Sequence, residues 1–136
     1  VSGLLVADTD LVIDFLRGRG TGAELLPTWL RARRLRLSVV TLFELRCGQD
    51  WTRRGHGIDA LFLNGPLLLD RKAALRAGAI EAQLRSAGTP IGVADTLQAG
   101  ICRALGLPLA TRNRDHFTRV EGLELVDLSA EGASPS

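Results

Sequence analysis

Three carboxylates stand at places where helix and strand patterns do not need them. Asp8 closes the apolar run Leu4-Leu5-Val6-Ala7 and is followed by Thr9-Asp10. Glu44 lies in Val39-Val40-Thr41-Leu42-Phe43-Glu44-Leu45, where on a helix it shares a face with Val40 and Cys47. Asp95 lies in Ile91-Gly92-Val93-Ala94-Asp95-Thr96-Leu97. Each also has an ordinary structural use. Asp8 or Asp10 can cap the helix that begins near Thr9. Thr41-x-x-Glu44 fits a capping box, with Val40 and Leu45 as a hydrophobic staple. Asp95 suits the first turn of a helix, where the dipole favours an acid by ~0.3–1 kcal/mol. Asp70 shows the plain case, a cap between an apolar run and a basic helix.

Taken together the acids mean more. All three fall at predicted helix starts, two of them straight after strands, and in a parallel sheet such starts gather along one edge. Asp115, in Thr111-Arg112-Asn113-Arg114-Asp115-His116-Phe117, follows another strand and is a fourth candidate. Two carboxylates ~4 Å apart repel by about 4 kcal/mol at an effective dielectric near 20. Such a cluster must protonate, separate or bind a cation. Oxygen ligands with open positions suit Mg²⁺ or Mn²⁺. These ions activate water and clamp the oxygens of a phosphodiester.

The elements that position these residues alternate. Strands are expected at 4–7, 35–39, 67–69, 107–110 and 124–128. Helices are expected at 11–17, 21–34, 41–48, from Asp70 to Gly88, and over 91–105, with Gly106 as a C-cap. Residues 49–64 read as a turn and a short helix interrupted by Gly55, His56 and Gly57. On the long helix after Asp70, the residues Ala74, Leu75, Ala79, Ala82 and Leu84 are expected on the inner side. The result is an α/β fold: one domain over 1–129 with a central, mainly parallel sheet of about five strands flanked by helices, and a flexible tail over 130–136.

Composition bounds the rest. At 136 residues, 46% hydrophobic and 24% charged, the chain suits one domain with an aliphatic core. A net charge of +2 does not by itself indicate nucleic acid. Arg31, Arg33, Arg34 and Arg36 form either a solvated helix end or a phosphate-facing patch. Cys47 and Cys102 read as buried free thiols, and two cysteines without a histidine cluster make no zinc site. No run reaches membrane-spanning length, and no signal-peptide pattern opens the chain, so a cytoplasmic protein is expected. Leu25, Leu26, Trp29 and Leu30 are candidates for an interface or for the core.

Four stretches carry a resemblance: Leu5-Val6-Ala7-Asp8-Thr9-Asp10, Val39-Val40-Thr41-Leu42-Phe43-Glu44-Leu45 with Gly48, Ala94-Asp95-Thr96-Leu97-Gln98-Ala99, and Leu109-Ala110-Thr111-Arg112-Asn113-Arg114-Asp115-His116-Phe117. In this order and spacing the chain resembles the PIN-domain ribonucleases, and among them the VapC toxins of toxin–antitoxin pairs. The resemblance implies a Mg²⁺- or Mn²⁺-dependent endoribonuclease leaving 5′-phosphate and 3′-hydroxyl ends. It gives Asp8, Glu44 and Asp95 the places of the main acids, with Asp8 and Asp95 as metal ligands. Asp115 or Asn113 fills a fourth place, with the charged Asp115 preferred. Thr9 and Thr111 would support the carboxylates. Arg112 and Arg114 would meet RNA phosphate or belong to a solvated loop. A cognate VapB antitoxin that binds operator DNA, and a homodimer, are further implications.

Two other readings stay open from the sequence. Asp8-x-Asp10 after a strand is also the pattern of a haloacid-dehalogenase-like phosphohydrolase. That chemistry needs a lysine at a later strand end, and the only lysine, Lys72, follows Asp70 at a helix start. A non-catalytic PIN-like module that binds RNA or protein is the other.

Overall fold

The computed structural model describes residues 3–62 and 64–132, with the side chains of residues 54–56 outside that description. In chain order the elements are β1 (Leu5–Ala7), α1 (Thr9–Arg17), α2 (Thr21–Arg31), β2 (Leu35–Arg36), α3 (Val39–Cys47), α4 (Asp50–Leu61), α5 (Arg71–Ser86), α6 (Val93–Leu105), β3 (Leu109–Ala110), α7 (Arg114–Phe117) and α8 (Leu128–Glu131). The strands form a parallel sheet in the order β2-β1-β3. Helices cover both of its faces, as parallel strands require.

The side-chain alternation of β1 divides the core. Leu5 and Ala7 turn to Leu11, Val12, Leu25, Leu26 and Trp29 from α1 and α2. Val6 turns the other way, to Ile80, Leu84, Ala99, Cys102 and Phe117. Burying side chains such as Leu11 and Leu26 contributes about 1.5–3 kcal/mol each. Small residues let the helices approach. A Cβ on Gly100 of α6 would lie 2.6 Å from the Cβ of Ala77 and 2.8 Å from the carbonyl of Ala73, both on α5.

The sheet has three strands rather than about five. The expected strands at 67–69 and 124–128 shrink to single parallel bridges, Ser38 with Leu67 and Leu109 with Leu125. Leu67 donates its N–H to Leu37 and accepts from Val39. The chain then turns away: Leu68 is exposed, and Asp70 caps α5 by accepting the N–H of Ala73 at 2.9 Å. On the other side Leu109 donates to Glu124 and accepts from Val126.

Several local expectations change. The backbone of α4 runs through positions 55–57 as one helix from Asp50 to Leu61. Ile58, fully buried, anchors it to the core and outweighs the helix cost of the glycines. The inner face of α5 is Ala73, Ala77, Ile80 and Leu84, while Ala74, Leu75, Ala79 and Ala82 are exposed. Alanines on every side left the pattern without contrast. Helix α2 stops at Arg31. Leu25, Leu26 and Trp29 are core residues, and Leu30 is partly exposed. Cys102 is buried as expected, but Cys47 is exposed.

Ala130 and Glu131 belong to α8. Glu131 accepts from Trp29 Nε1 at 2.8 Å and from Arg34 Nη1 at 2.9 Å. The remainder of the expected tail, 133–136, lies outside the described residues. Arg34 also donates to the carbonyl of Gly3, and Arg36 to that of Leu35. Arg34 immediately precedes β2, whereas Arg36 closes it beside Val6 of β1.

Candidate active site

The carboxyl ends of β1 and β3 build the site. Asp8 follows β1 and is the N-cap of α1, with Oδ1 accepting the N–H of Thr9 at 2.9 Å. Thr111 follows β3, and its hydroxyl donates to Asp8 Oδ2 at 2.7 Å. The two residues meet because their strands pair: the N–H of Asp8 donates to the carbonyl of Ala110.

Glu44 comes from α3. The cap of that helix is Ser38, whose hydroxyl accepts the N–H of Thr41, so Thr41-x-x-Glu44 is not a capping box. Both side chains are released for the site. The Thr9 hydroxyl donates to Glu44 Oε1 at 2.6 Å and lies 3.0 Å from the Thr41 hydroxyl. Thr9 has one hydroxyl proton, and the carboxylate takes it. Thr41 therefore donates to Thr9, and Gln98 Nε2 donates to Thr41 at 3.2 Å. Ser38 closes the chain by donating to Gln98 Oε1. Gln98 also points its amide at Asp8 Oδ1, 3.5 Å away. This directed network holds Asp8 and Glu44 on either side of Thr9.

Sequence reasoning passed over Gln98. Its signal is a long polar side chain among Leu97, Ala99 and Ile101, one helical turn after Asp95. It is 1% exposed, so its bonds are made in a desolvated place. Replacing Gln98 with Leu removes donors and acceptors from three buried partners. We expect a loss of about 2–4 kcal/mol in chemical denaturation; a loss below about 0.5 kcal/mol would contradict the network.

Asp95 enters from the first turn of α6. Its Oδ2 lies 2.8 Å from His116 Nδ1 and 3.4 Å from Asn113 Nδ2. Asn113 and His116 are themselves 2.8 Å apart. Of the two candidates for the fourth place, Asn113 is the one against Asp95. Asp115, preferred for its charge, is exposed on α7, and its side chain has no partner among the described residues. The sequence reading also missed His116, which stands one helical turn after Asn113.

The two loop arginines are engaged within the fold. Arg112 Nη2 pairs with Asp14 at 3.0 Å, and the Arg112 N–H donates to Asp10 Oδ2 at 3.2 Å. Arg114 donates to the carbonyl of Val126. Arg112 thus straps the loop after β3 to α1.

Electrostatics mark Asp8. Burial pushes its carboxyl up from 3.8 to about 6, the neighbouring charges of Asp10 and Asp95 push the same way, and the Thr111 and Thr9 bonds oppose them. Asp10 is also raised, chiefly by burial. Its Oδ1 is buried without a hydrogen-bond partner. Burial, with the Asp8 charge, holds the thiol of Cys102 up near about 12, so it packs and does not react.

A carboxyl whose folded value is raised binds its proton more tightly when folded. Its contribution to stability is full below the unfolded value and is lost as pH rises through the folded one. The metal-free protein is therefore expected to lose about 3 kcal/mol from this group between about pH 4 and pH 6, at about 1.4 kcal/mol per pH unit, and little more above that. Denaturation midpoints across that range check it.

These features fit a divalent cation. The Asp8 carboxyl feels the charges of Asp10 and Asp95, one oxygen of Asp10 is buried without a partner, and oxygen donors dominate. Among the described residues, no three His, Cys, Asp or Glu side chains lie close enough to form a metal cage by themselves. Asp8 and Glu44 are joined through Thr9 and not by contact. Mg²⁺ requires no such cage, because it keeps several waters and takes one or two carboxylates.

Beside the acids an apolar groove of about 440 Å³ runs between α3 and α6, lined by Val39, Val40, Phe43, Leu69, Val93, Ala94 and Leu97. Phe43 precedes Glu44 and Ala94 precedes Asp95, so the groove borders the site. Among the described residues, no helix is long and apolar enough to cross a membrane.

A parallel sheet with carboxylates gathered at its strand ends defines the class, and the PIN-domain profile matches residues 5–123. The chain belongs to the PIN-domain family and, within it, to the VapC group. It is similar to a tRNA(fMet)-specific endonuclease VapC of Salmonella typhimurium, 32% identical over 103 residues covering 72% of this chain and 78% of the relative. A protein of the same name from Shigella flexneri is 36% identical over 98 residues, covering 68% of this chain and 74% of the relative. Among solved structures, DNA-bound VapBC of Salmonella typhimurium superposes with a TM-score of 0.79 at 26% identity, covering 92% of this chain and 98% of that one.

Proposed function

We propose that this chain is a VapC-type endoribonuclease that depends on Mg²⁺ or Mn²⁺ and is held in check by a VapB-type antitoxin. The observation that carries the metal dependence is Asp8, a buried carboxylate whose ionisation is opposed by burial, Asp10 and Asp95. Asp8 and Asp95 hold the cation, with Glu44 and Asn113 completing its surroundings. A bound Mg²⁺ or Mn²⁺ supplies an activated water and positive charge for the phosphodiester oxygens. Glu44, oriented by the Thr9 hydroxyl, accepts a proton from the attacking water. The water oxygen bonds to phosphorus as the bond to the 3′ oxygen breaks, and the departing 3′ oxygen takes a proton from solvent, leaving 5′-phosphate and 3′-hydroxyl ends. Thr111 fixes the rotamer of Asp8. Arg114, exposed in the same loop, meets RNA phosphate, and Asp115, exposed beside it, is left as the alternative to Asn113 in the fourth place. Arg112 contributes by fixing the loop.

The substrate class follows the two curated VapC relatives, both described as tRNA(fMet)-specific. Initiator tRNA is the first RNA to test. Since tRNA is cytoplasmic, the protein acts there. The apolar groove beside Glu44 and Asp95 gives an antitoxin segment a surface from which to block the acids, and the antitoxin supplies contact with operator DNA. A second copy of the chain completes a homodimer.

The purified chain is expected to cut initiator tRNA with Mg²⁺ or Mn²⁺, to stop on chelation, and to leave 5′-phosphate ends that accept ligation. Cleavage that survives chelation, or that leaves 2′,3′-cyclic phosphates, overturns the proposal. RNA binding without cleavage would favour the non-catalytic module.

A further inference from the structure

Away from the acids, three arginines surround a polar cavity of about 390 Å³. Arg17, Arg19 and Arg53 line it together with Gln49 and Asp50. Arg17 ends α1, Arg19 lies in the turn to α2, and Arg53 belongs to the first turn of α4. Asp50 is the single acid of the lining, and it is taken: Arg17 Nε and Nη2 donate to its Oδ2 at 3.2 and 3.0 Å. Among the described residues, Arg19 and Arg53 pair with no carboxylate. The whole chain has a formal net charge of +2. Three guanidinium groups against one carboxylate gather an excess of that size at one corner of the molecule.

The backbone beneath these side chains is fixed. The Arg19 N–H donates to the carbonyl of Asp14 at 3.1 Å, and the Gly22 N–H donates to Asp14 Oδ2 at 3.2 Å. Arg19 thus springs from a pinned turn, with its charge left over. The cavity also lies along the helix that carries the acids. Asp8 caps α1 at one end and Arg17 closes it at the other, about 13 Å away at about 1.5 Å per residue. The neighbouring segment runs alongside: Thr9 meets Thr41 and Glu44 at the first end, and Arg17 meets Asp50 at the second. In between, Asp10, Asp14 and Arg17 share one face of α1. Arg112 covers the two carboxylates of that face. A strand leaving the acids along this face meets Arg112 and then the cavity.

We propose that this cavity holds a backbone phosphate of the RNA substrate, a few nucleotides from the bond that is cut, and that Arg19 and Arg53 grip it. The planar guanidinium fork makes paired, charge-assisted hydrogen bonds to phosphate oxygens. The lining offers no apolar anchor of the kind a protein segment needs, so its chemistry fits a nucleic-acid strand and not the antitoxin. A phosphate contact fixes position and carries no sequence information. It places the strand over the acids and leaves the choice of sequence to other residues. This inference rests on the ribonuclease reading given above.

The test follows cleavage of initiator tRNA by the full chain over a range of salt. The variants are the double change Arg19→Ala with Arg53→Ala, and the charge reversal Arg19→Glu with Arg53→Glu. We expect KM to rise ~10-fold or more in the alanine variant and further in the reversed one, with kcat within about 2-fold of wild type. The thermal midpoint should not move, since neither side chain has a partner to lose. The slope of log KM against log salt should flatten by about 1–2. Removing equal charge from α5, on the other face of the sheet, is the control. There Arg71→Ala with Arg76→Ala should change KM by less than about 3-fold. A short oligonucleotide that spans the cleaved bond without reaching the cavity should be cut alike by wild type and the alanine variant. An unchanged KM for tRNA, or a rise matched by the α5 control, overturns the phosphate contact and leaves the nuclease standing. So does a loss confined to antitoxin binding, which would make the cavity a protein contact. A wild-type chain that neither binds nor cuts RNA overturns both.

Discussion

Asp8→Asn should stabilise the metal-free protein at neutral pH while abolishing RNA cleavage. Asp8 is 6% exposed and carries a carboxyl that burial raises to about 6. At pH 7 the folded chain must hold that charge out of water, beside Asp10 and Asp95. The amide has the same shape and no charge. Its oxygen can still accept from Thr9, and its NH₂ can donate to the Thr111 oxygen. The expected gain is about 1–3 kcal/mol at pH 7, shrinking towards zero near pH 4, where the wild-type group is protonated. Activity should fall about 10³-fold or more, the scale for losing a group that stabilises reacting charge. Stability gained where function is lost is the signature of a site kept under electrostatic stress. Denaturant unfolding across pH, paired with a cleavage assay, decides it. A destabilised variant at pH 7, or one that cuts RNA normally, contradicts the role given to Asp8.

Gly22→Ala should have the largest effect on the fold. Gly22 opens α2 where it crosses α1, and an added Cβ would lie 1.8 Å from the carbonyl oxygen of Leu11. That neighbour is backbone and cannot rotate aside. The N–H of Gly22 also donates to Asp14 Oδ2, the carboxylate that pairs with Arg112. Moving α2 would disturb α1, and with it the helix that Asp8 caps. We expect a loss of about 3 kcal/mol or more, from overpacking at a site that cannot relax. Gly78→Ala is the matched control. It sits within α5 with nothing within 4 Å of an added Cβ. There the better helix former should gain about 0.5–1 kcal/mol. Equal effects at both positions would show that helix propensity, not close packing, governs Gly22.

The place of Asp8 in the fold was legible because an apolar run ending in a carboxylate says where a strand stops. Asp8 and Asp95 fall at helix starts, and Glu44 follows one turn into α3. The fold class was legible for the same reason. Sheet width was not: Leu67-Leu68-Leu69 and Glu124-Leu125-Val126 look like strands, but whether a neighbour pairs over one residue or five is decided by tertiary packing. The expected capping box put the cap of α3 at Thr41, three residues too late. Ser38 takes it, and Thr41 is then free to bond Gln98 and Thr9. Gln98 and His116 remained invisible because their partners lie 57 and 21 residues away. The choice between Asp115 and Asn113 for the fourth place could be argued from the sequence on charge alone, which says nothing of where each side chain lies. The turn of α7 exposes Asp115 and brings Asn113 and His116 to Asp95 instead.

The most direct measurement is anomalous diffraction from crystals of the protein soaked in Mn²⁺. A peak within about 2.1–2.4 Å of carboxylate oxygens of Asp8 and Asp95, lost in Asp8→Asn, is the expected result. No peak at these strand ends, in crystals whose protein still cleaves RNA, would mean that the acids do their work without a shared metal ion.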